Sequence, residues 1–141
     1  MVKYKTRGDL SIDRIGFPTD YFAARDTFID AWGPIEISPL SQWGFFNSII
    51  TASHSTDPHK FGEIVLKPVI VHDKAWITSN VTLFNCEIGE GAIVSVGSVV
   101  MGRNVPAWTM VEGNPAKIIA RYDHQKEKWI SQEPEELERR K

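Results

Sequence analysis

His54, Asp57 and His59 cluster in the stretch ITASHSTDPHK, residues 50–60, inside a run that otherwise looks like β-strand. An imidazole, with a pKa of about 6.5, is largely neutral at neutral pH yet able to take a proton, so His54 suits general-base work on a hydroxyl or an amine. Asp57 has two readings. It could orient the His54 ring through its second nitrogen, as the third group of a catalytic triad does, or cap the turn that TDP makes ahead of a restrictive proline. His54 and His59 also stand five apart, but Pro58 and a loop setting offer no preformed metal geometry, and imidazole ligands need a fixed outer shell. No metal is expected. A surface histidine without chemistry is the plain alternative that these residues alone leave open.

A thiol is the other obvious nucleophile. Cys86 is the one cysteine, and it sits two residues before Ile88 in the slot that Ala92 and Ser98 fill in the following units. It therefore reads as a small buried wall residue. A lone thiol forms no internal disulfide, which points to a reducing compartment, the cytoplasm.

The elements that must position these groups follow from a repeat. Apolar residues recur every six positions as Ile37, Trp43 and Ile49, as Val71, Ile77 and Leu83, and as Ile88, Val94 and Val100; Ala23 with Ile29 and Val105 with Val111 keep the interval. On a helix this spacing scatters the side chains in three directions, whereas a two-residue pleat puts them all on one face. Small residues, namely Ala75, Val81, Ala92 and Ser98, follow several of these positions by four, with polar or glycine-rich turns between. Each unit is then a short strand plus a corner, too short to bury its own apolar face, so units must stack as an all-β solenoid. The phase slips between Leu83 and Ile88 and again between Val100 and Val105. It is lost over residues 54–68, which read as a loop leaving the solenoid. Such loops carry function because a rigid scaffold positions them. After residue 121 the sequence turns charged and helix-favouring, so residues 1–121 are expected to form the solenoid domain and residues 122–141 a short C-terminal helical tail.

Composition narrows the partners. The 141 residues, 42% hydrophobic, suit one domain with a real core. A formal charge of -2 and a pI near 6.1 give no general pull toward nucleic acid or anionic membrane. No stretch approaches the roughly 20 apolar residues of a membrane span, so no membrane insertion is expected. MVKYKTRGDLSI alternates like a strand from the first residues, which suggests that the usual terminal arm is missing.

Five stretches occur in order: FIDAWGPIEIS, ITASHSTDP, LKPVIVHDKAWI, IGEGAIVSVGSVV and VPAWTMVEGNPAK. Over roughly residues 10–121 they resemble the hexapeptide-repeat acyltransferases, and within that group the colanic-acid-type and nodulation-type sugar O-acetyltransferases. The resemblance implies a left-handed parallel β-helix assembled as a homotrimer. Crossovers between parallel strands are ordinarily right-handed, so the left hand rests on the resemblance alone.

The resemblance also implies transfer of an acetyl group from acetyl-CoA directly to a hydroxyl of a small sugar or glycan precursor, with His54 as general base. On the acceptor side it offers Asp30 and Asp57, although a corner aspartate and a turn aspartate are equally ordinary readings. Along the acetyl-CoA arm it offers Ser79, with an amide near the thioester, Trp76, which packs against the cofactor or else belongs to the core, and the backbone of Val96, Gly97 and Ser98. Lys117 of GNPAK would meet the nucleotide phosphates. Arg121 would add a second cation, one place later than the family's usual basic position, filled here by Ala120. Three other readings stand beside this one. An amine acceptor would use the same base. A γ-type carbonic anhydrase would need zinc-binding histidines where this chain has Ser79 and Phe84. A non-catalytic scaffold would need neither His54 nor Lys117.

Overall fold

The computed structural model describes the backbone of residues 4–7 and the whole of residues 26–140. Ala23, the first residue of the repeat, lies outside the described residues.

The chain visits three sheets in strict rotation. The first face holds β1 (Tyr4–Arg7), β2 (Thr27–Asp30), β5 (Ser48–Ile50), β10 (Thr82–Phe84) and β13 (Val99–Met101). The second holds β3 (Ile35–Ile37), β8 (Val69–Val71), β11 (Cys86–Ile88) and β14 (Arg103–Val105). The third holds β4 (Gln42–Trp43), β9 (Trp76–Ile77), β12 (Ile93–Val94) and β15 (Thr109–Gly113). Neighbours within each of these sets pair in parallel. From β2 to β15, leaving aside β6 and β7, successive strands thus lie on successive faces, and each coil stacks on the previous one as a three-sided parallel β-solenoid.

The six-residue spacing is the physical cause. Each interval carries the chain from one face to the next, so residues of the repeat all point inward and meet their counterparts in register. Ile29, Ile49, Leu83 and Val100 form one column, Ile37, Val71, Ile88 and Val105 the second, Trp43, Ile77, Val94 and Val111 the third. None is more than 5% exposed. At about 1.5–3 kcal/mol for each large apolar side chain buried, these columns dominate the stability. Corners bring the chain close to itself, and Ala75, Val81, Ala92 and Ser98 are buried there. The slip at Leu83–Ile88 is a tightened corner at Asn85, with φ of 47°, and the slip after Val100 is one at Gly102, with φ of 64°.

The segment that breaks the repeat is an arm. It leaves the corner between the first and second faces as β6 (Ala52–His54) and returns antiparallel as β7 (Ile64–Leu66), with His54 opposite Ile64. The departure thus begins at Ala52, before His54, and is a two-stranded ribbon with a single 3-10 turn, Pro58–Lys60, at its far end.

The helical tail expected over residues 122–141 is a correction: the chain there is strand. β16 (Ala116–Asp123) folds back on β15, β17 (Lys128–Glu136) folds back on β16, and β18 (Glu138–Arg139) pairs antiparallel with β14. β16 also crosses the domain boundary expected at residue 121. Pairing outweighs helix propensity, a weak prior, because the third face ends in an open edge that β16 and β17 cover. Pro134 is tolerated because β17 is itself the edge strand. The turn between them is fixed by Asp123, whose carboxylate accepts from Gln125 N at 2.9 Å and Lys126 N at 3.0 Å.

Candidate active site

His54 ends β6 with its side chain exposed, beside a cleft of about 230 Å³ lined by Trp32, Ala52, Ser53, His54 and Ile64. Its position is built from below. Thr51 is fully buried; its hydroxyl donates to the Asp30 carbonyl and accepts from Gly33 N at 2.8 Å, and its own carbonyl accepts from Lys67 N at 2.8 Å. One threonine therefore ties both ends of the arm to the preceding coil. Gly33 suits that closeness, since a Cβ there would stand 3.0 Å from Thr51 Cβ, a contact tight enough that Thr51 would have to shift.

Of the two aspartates expected on the acceptor side, Asp30 is buried at the end of β2, under the same corner. Asp57 caps the 3-10 turn, its carboxylate accepting from His59 N at 2.9 Å, which is its turn reading. Neither is among the described residues that line the cleft. Trp32, which is, was not singled out by sequence reasoning. The available signal was a tryptophan out of phase with the repeat, between Ile29 and Ile35, next to Gly33 and Pro34.

The remaining expected residues gather elsewhere. Ser79, Val96 and Gly97 stack in consecutive coils at the corner between the third and first faces, where Gly97 N donates to the Ser79 carbonyl at 3.0 Å. The Ser79 hydroxyl accepts from Phe45 N at 2.9 Å, which fixes the corner to the coil before it. Gly97 has φ of 77°, and a Cβ there would meet nothing within 4 Å, so the surface beside it is open. Val96 is exposed; Ser98 is buried, its hydroxyl accepting from Gly113 N at 3.2 Å. Trp76 is 45% exposed on the outer side of the third face, in register with Gln42 and Ile93, so it is not a core residue.

These two groups do not meet within one chain. All strands of the first face run parallel, with Ser79 just ahead of β10 and His54 beyond the end of β5. Three residues of strand at about 3.3 Å each, plus two corners, separate the levels.

Lys117 and Arg121 lie on β16 and are engaged by β17. Lys117 Nζ stands 3.3 Å from Glu136 Oε1; Arg121 donates to Gln132 Oε1 at 3.1 Å and Glu135 Oε2 at 2.8 Å. The hydrogen bond from Arg121 holds the Glu135 carboxyl below its usual range. Cys86 is fully buried, and burial pushes its thiol up to about 12. Among the described residues, no three His, Cys, Asp or Glu side chains gather as a metal site, and no helix is long and apolar enough to cross a membrane.

Known proteins resemble this arrangement. No family model matches the chain. WbbJ of Escherichia coli K12, named for O-acetyl transfer in lipopolysaccharide biosynthesis, is 39% identical over 62 residues, 43% of this chain and 31% of WbbJ. A 2,3,4,5-tetrahydropyridine-2,6-dicarboxylate N-acetyltransferase of Staphylococcus aureus is 47% identical over 53 residues, 37% of this chain and 22% of that protein. The chain thus spans less than a third of the length of these relatives. Among solved structures, the hexapeptide-repeat-containing acetyltransferase VCA0836 of Vibrio cholerae O1 biovar eltor, in complex with acetyl-CoA, superposes with a TM-score of 0.63 at 32% identity, over 68% of this chain and 54% of that one. Stacked six-residue units on three parallel faces and these likenesses together make the chain similar to the hexapeptide-repeat acetyltransferases.

Proposed function

We propose that the chain winds with a left hand, assembles as a trimer in the cytoplasm, and transfers acetyl from acetyl-CoA to a hydroxyl of a sugar or glycan precursor. The observation that carries this reading is the separation of His54 from the Ser79–Gly97 corner by the whole first face. Two halves of one site on opposite edges of a face require a neighbouring copy to bring them together. Apolar side chains line the outer surface accordingly: Phe45 is 40% exposed, Phe46 60%, Val96 66% and Met101 58%. Phe45, Phe46 and Val96 share one corner, and exposed apolar side chains grouped in this way favour an interface.

The step is a direct acyl transfer. His54 takes the proton of the acceptor hydroxyl as its oxygen attacks the thioester carbon. The carbon–sulfur bond breaks, and His54 returns the proton to the departing CoA sulfur, leaving an acetyl ester and a free thiol. The Ser79 amide, which has no acceptor among the described residues, would face the oxyanion. The open surface beside Gly97 fits a pantetheine arm lying close to the backbone. Lys117 and Arg121 would meet the phosphates, exchanging Glu136 and Glu135 for them. Asp30 and Asp57 remain acceptor-side candidates, from beneath the corner and from the arm's far turn. An amine acceptor is the second reading, since one relative is named as an N-acetyltransferase and the base would be the same.

The test is thiol release from acetyl-CoA in the presence of sugars. His54→Ala should lower sugar-dependent turnover by about 10²- to 10⁴-fold while acetyl-CoA binding, measured by calorimetry, is kept. Full turnover in that variant removes His54 from the mechanism.

A further inference from the structure

Trp32 stands beside His54 in the same cleft, 54% exposed, with Ile64 across from it 60% exposed. Large side chains left this open on a rigid scaffold cost free energy, so their placement asks for an occupant. Trp32 is also held more firmly than an ordinary corner residue. It lies between Asp30, whose carbonyl accepts from the Thr51 hydroxyl, and Gly33, whose N–H donates to that same hydroxyl. Asp30, two residues before it, and Gly33, the next residue, are thus pinned to one buried group, and the indole is presented from the backbone between them.

The chemistry of the cleft selects its occupant. At about 230 Å³ it falls below the 300–1,000 Å³ range of pockets for larger ligands, so it suits a single ring. An indole face carries negative π-density, which attracts the slightly positive C–H groups on one side of a pyranose. None of the five lining residues is a lysine or arginine. An acceptor bearing carboxylates would find no cation among the described walls and would lose hydration on entry. A neutral ring finds an apolar plate, with the imidazole at its edge to receive a hydroxyl.

We infer that Trp32 is the platform on which an uncharged pyranose stacks to present a hydroxyl to His54, and that Thr51 is the positioning residue that holds it. This rests on the transferase reading above and names its acceptor class. Steady-state kinetics with acetyl-CoA and a panel of neutral pyranosides, sugar acids and amino acids test it on the assembled wild-type protein, Trp32→Ala, Trp32→Phe and Thr51→Val. Trp32→Ala should raise the acceptor KM by about tenfold or more, with the KM for acetyl-CoA unchanged. Trp32→Phe should restore part of that loss, and Thr51→Val should move the acceptor KM in the same direction as Trp32→Ala. Wild-type turnover on neutral pyranosides with an unchanged acceptor KM in Trp32→Ala would overturn the platform while leaving the transferase reading intact. A wild-type protein that binds acetyl-CoA but acetylates only the charged acceptors would overturn the acceptor class. If it acetylates nothing in the panel, the transferase reading fails with it.

Discussion

Cys86 and His54 show how location decides reactivity. The thiol sits in the wall of the second face, and burial raises its pKa from 9.0 to about 12. At pH 8 only about one molecule in 10⁴ then carries the thiolate, the form that reacts. Iodoacetamide at pH 8 should leave the native protein unmodified and label it fully in denaturant, read by mass spectrometry; rapid native labelling would contradict the burial. Because the unfolded thiol ionises more readily, stability should be undiminished below pH 9.0 and fall as pH rises from there toward 12. The slot was legible in the sequence, since Cys86 shares the phase of Ala92 and Ser98. His54 was not legible in the same way: its residues admit a base, a ligand or a bare surface group, and only the resemblance chose among them. Trp32 escaped notice because an aromatic residue at a corner has no periodic partner to show which side it faces.

At the level of strands and corners, the repeat encodes faces and leaves the ends unencoded. The three inward columns from Ile29 to Val111 were legible in the six-residue interval, because a pleat has one inside and one outside, whereas Ile35 and Val69, buried beside them, stand outside those columns. Beyond Val111 the interval stops, and charged residues such as those of EELERRK fit a helix or an exposed edge strand equally well. The open edge of the third face decided the matter. Corners carry their own requirements. At Gly44 a Cβ would lie 2.4 Å from the Thr78 carbonyl oxygen, a backbone atom that cannot yield, whereas at Gly97 it would enter open space. Gly44→Ala should therefore cost about 3 kcal/mol in urea unfolding, and Gly97→Ala about 1 kcal/mol, from its positive φ alone. Equal losses would mean that the corner between Gly44 and Ser79 is looser than described.

Across the whole molecule, the second face differs from the other two. Its outer row, Glu36, Ile70, Glu87 and Asn104, is mostly polar and includes the 2.7 Å pairing of His72 with Glu87. Trp76 on the third face, Met101 on the first, and Phe45, Phe46 and Val96 at the corner those two faces share are exposed apolar side chains instead. Under the proposed assembly, that asymmetry would set the polar face toward solvent and let the arm of one copy reach the Ser79–Gly97 corner of the next. Sequence gave no hint of it, because outward residues obey no common spacing. The most direct measurement is activity in mixed trimers of two variants, His54→Ala and Gly97→Trp, the second filling the open surface beside the corner. Each variant alone should be inactive. Co-assembled in equal amounts they should regain about a quarter of wild-type turnover, because one interface in four joins an intact His54 to an intact corner. Mixed trimers that form and stay at background, or a monomer with full turnover, would contradict a site shared between copies.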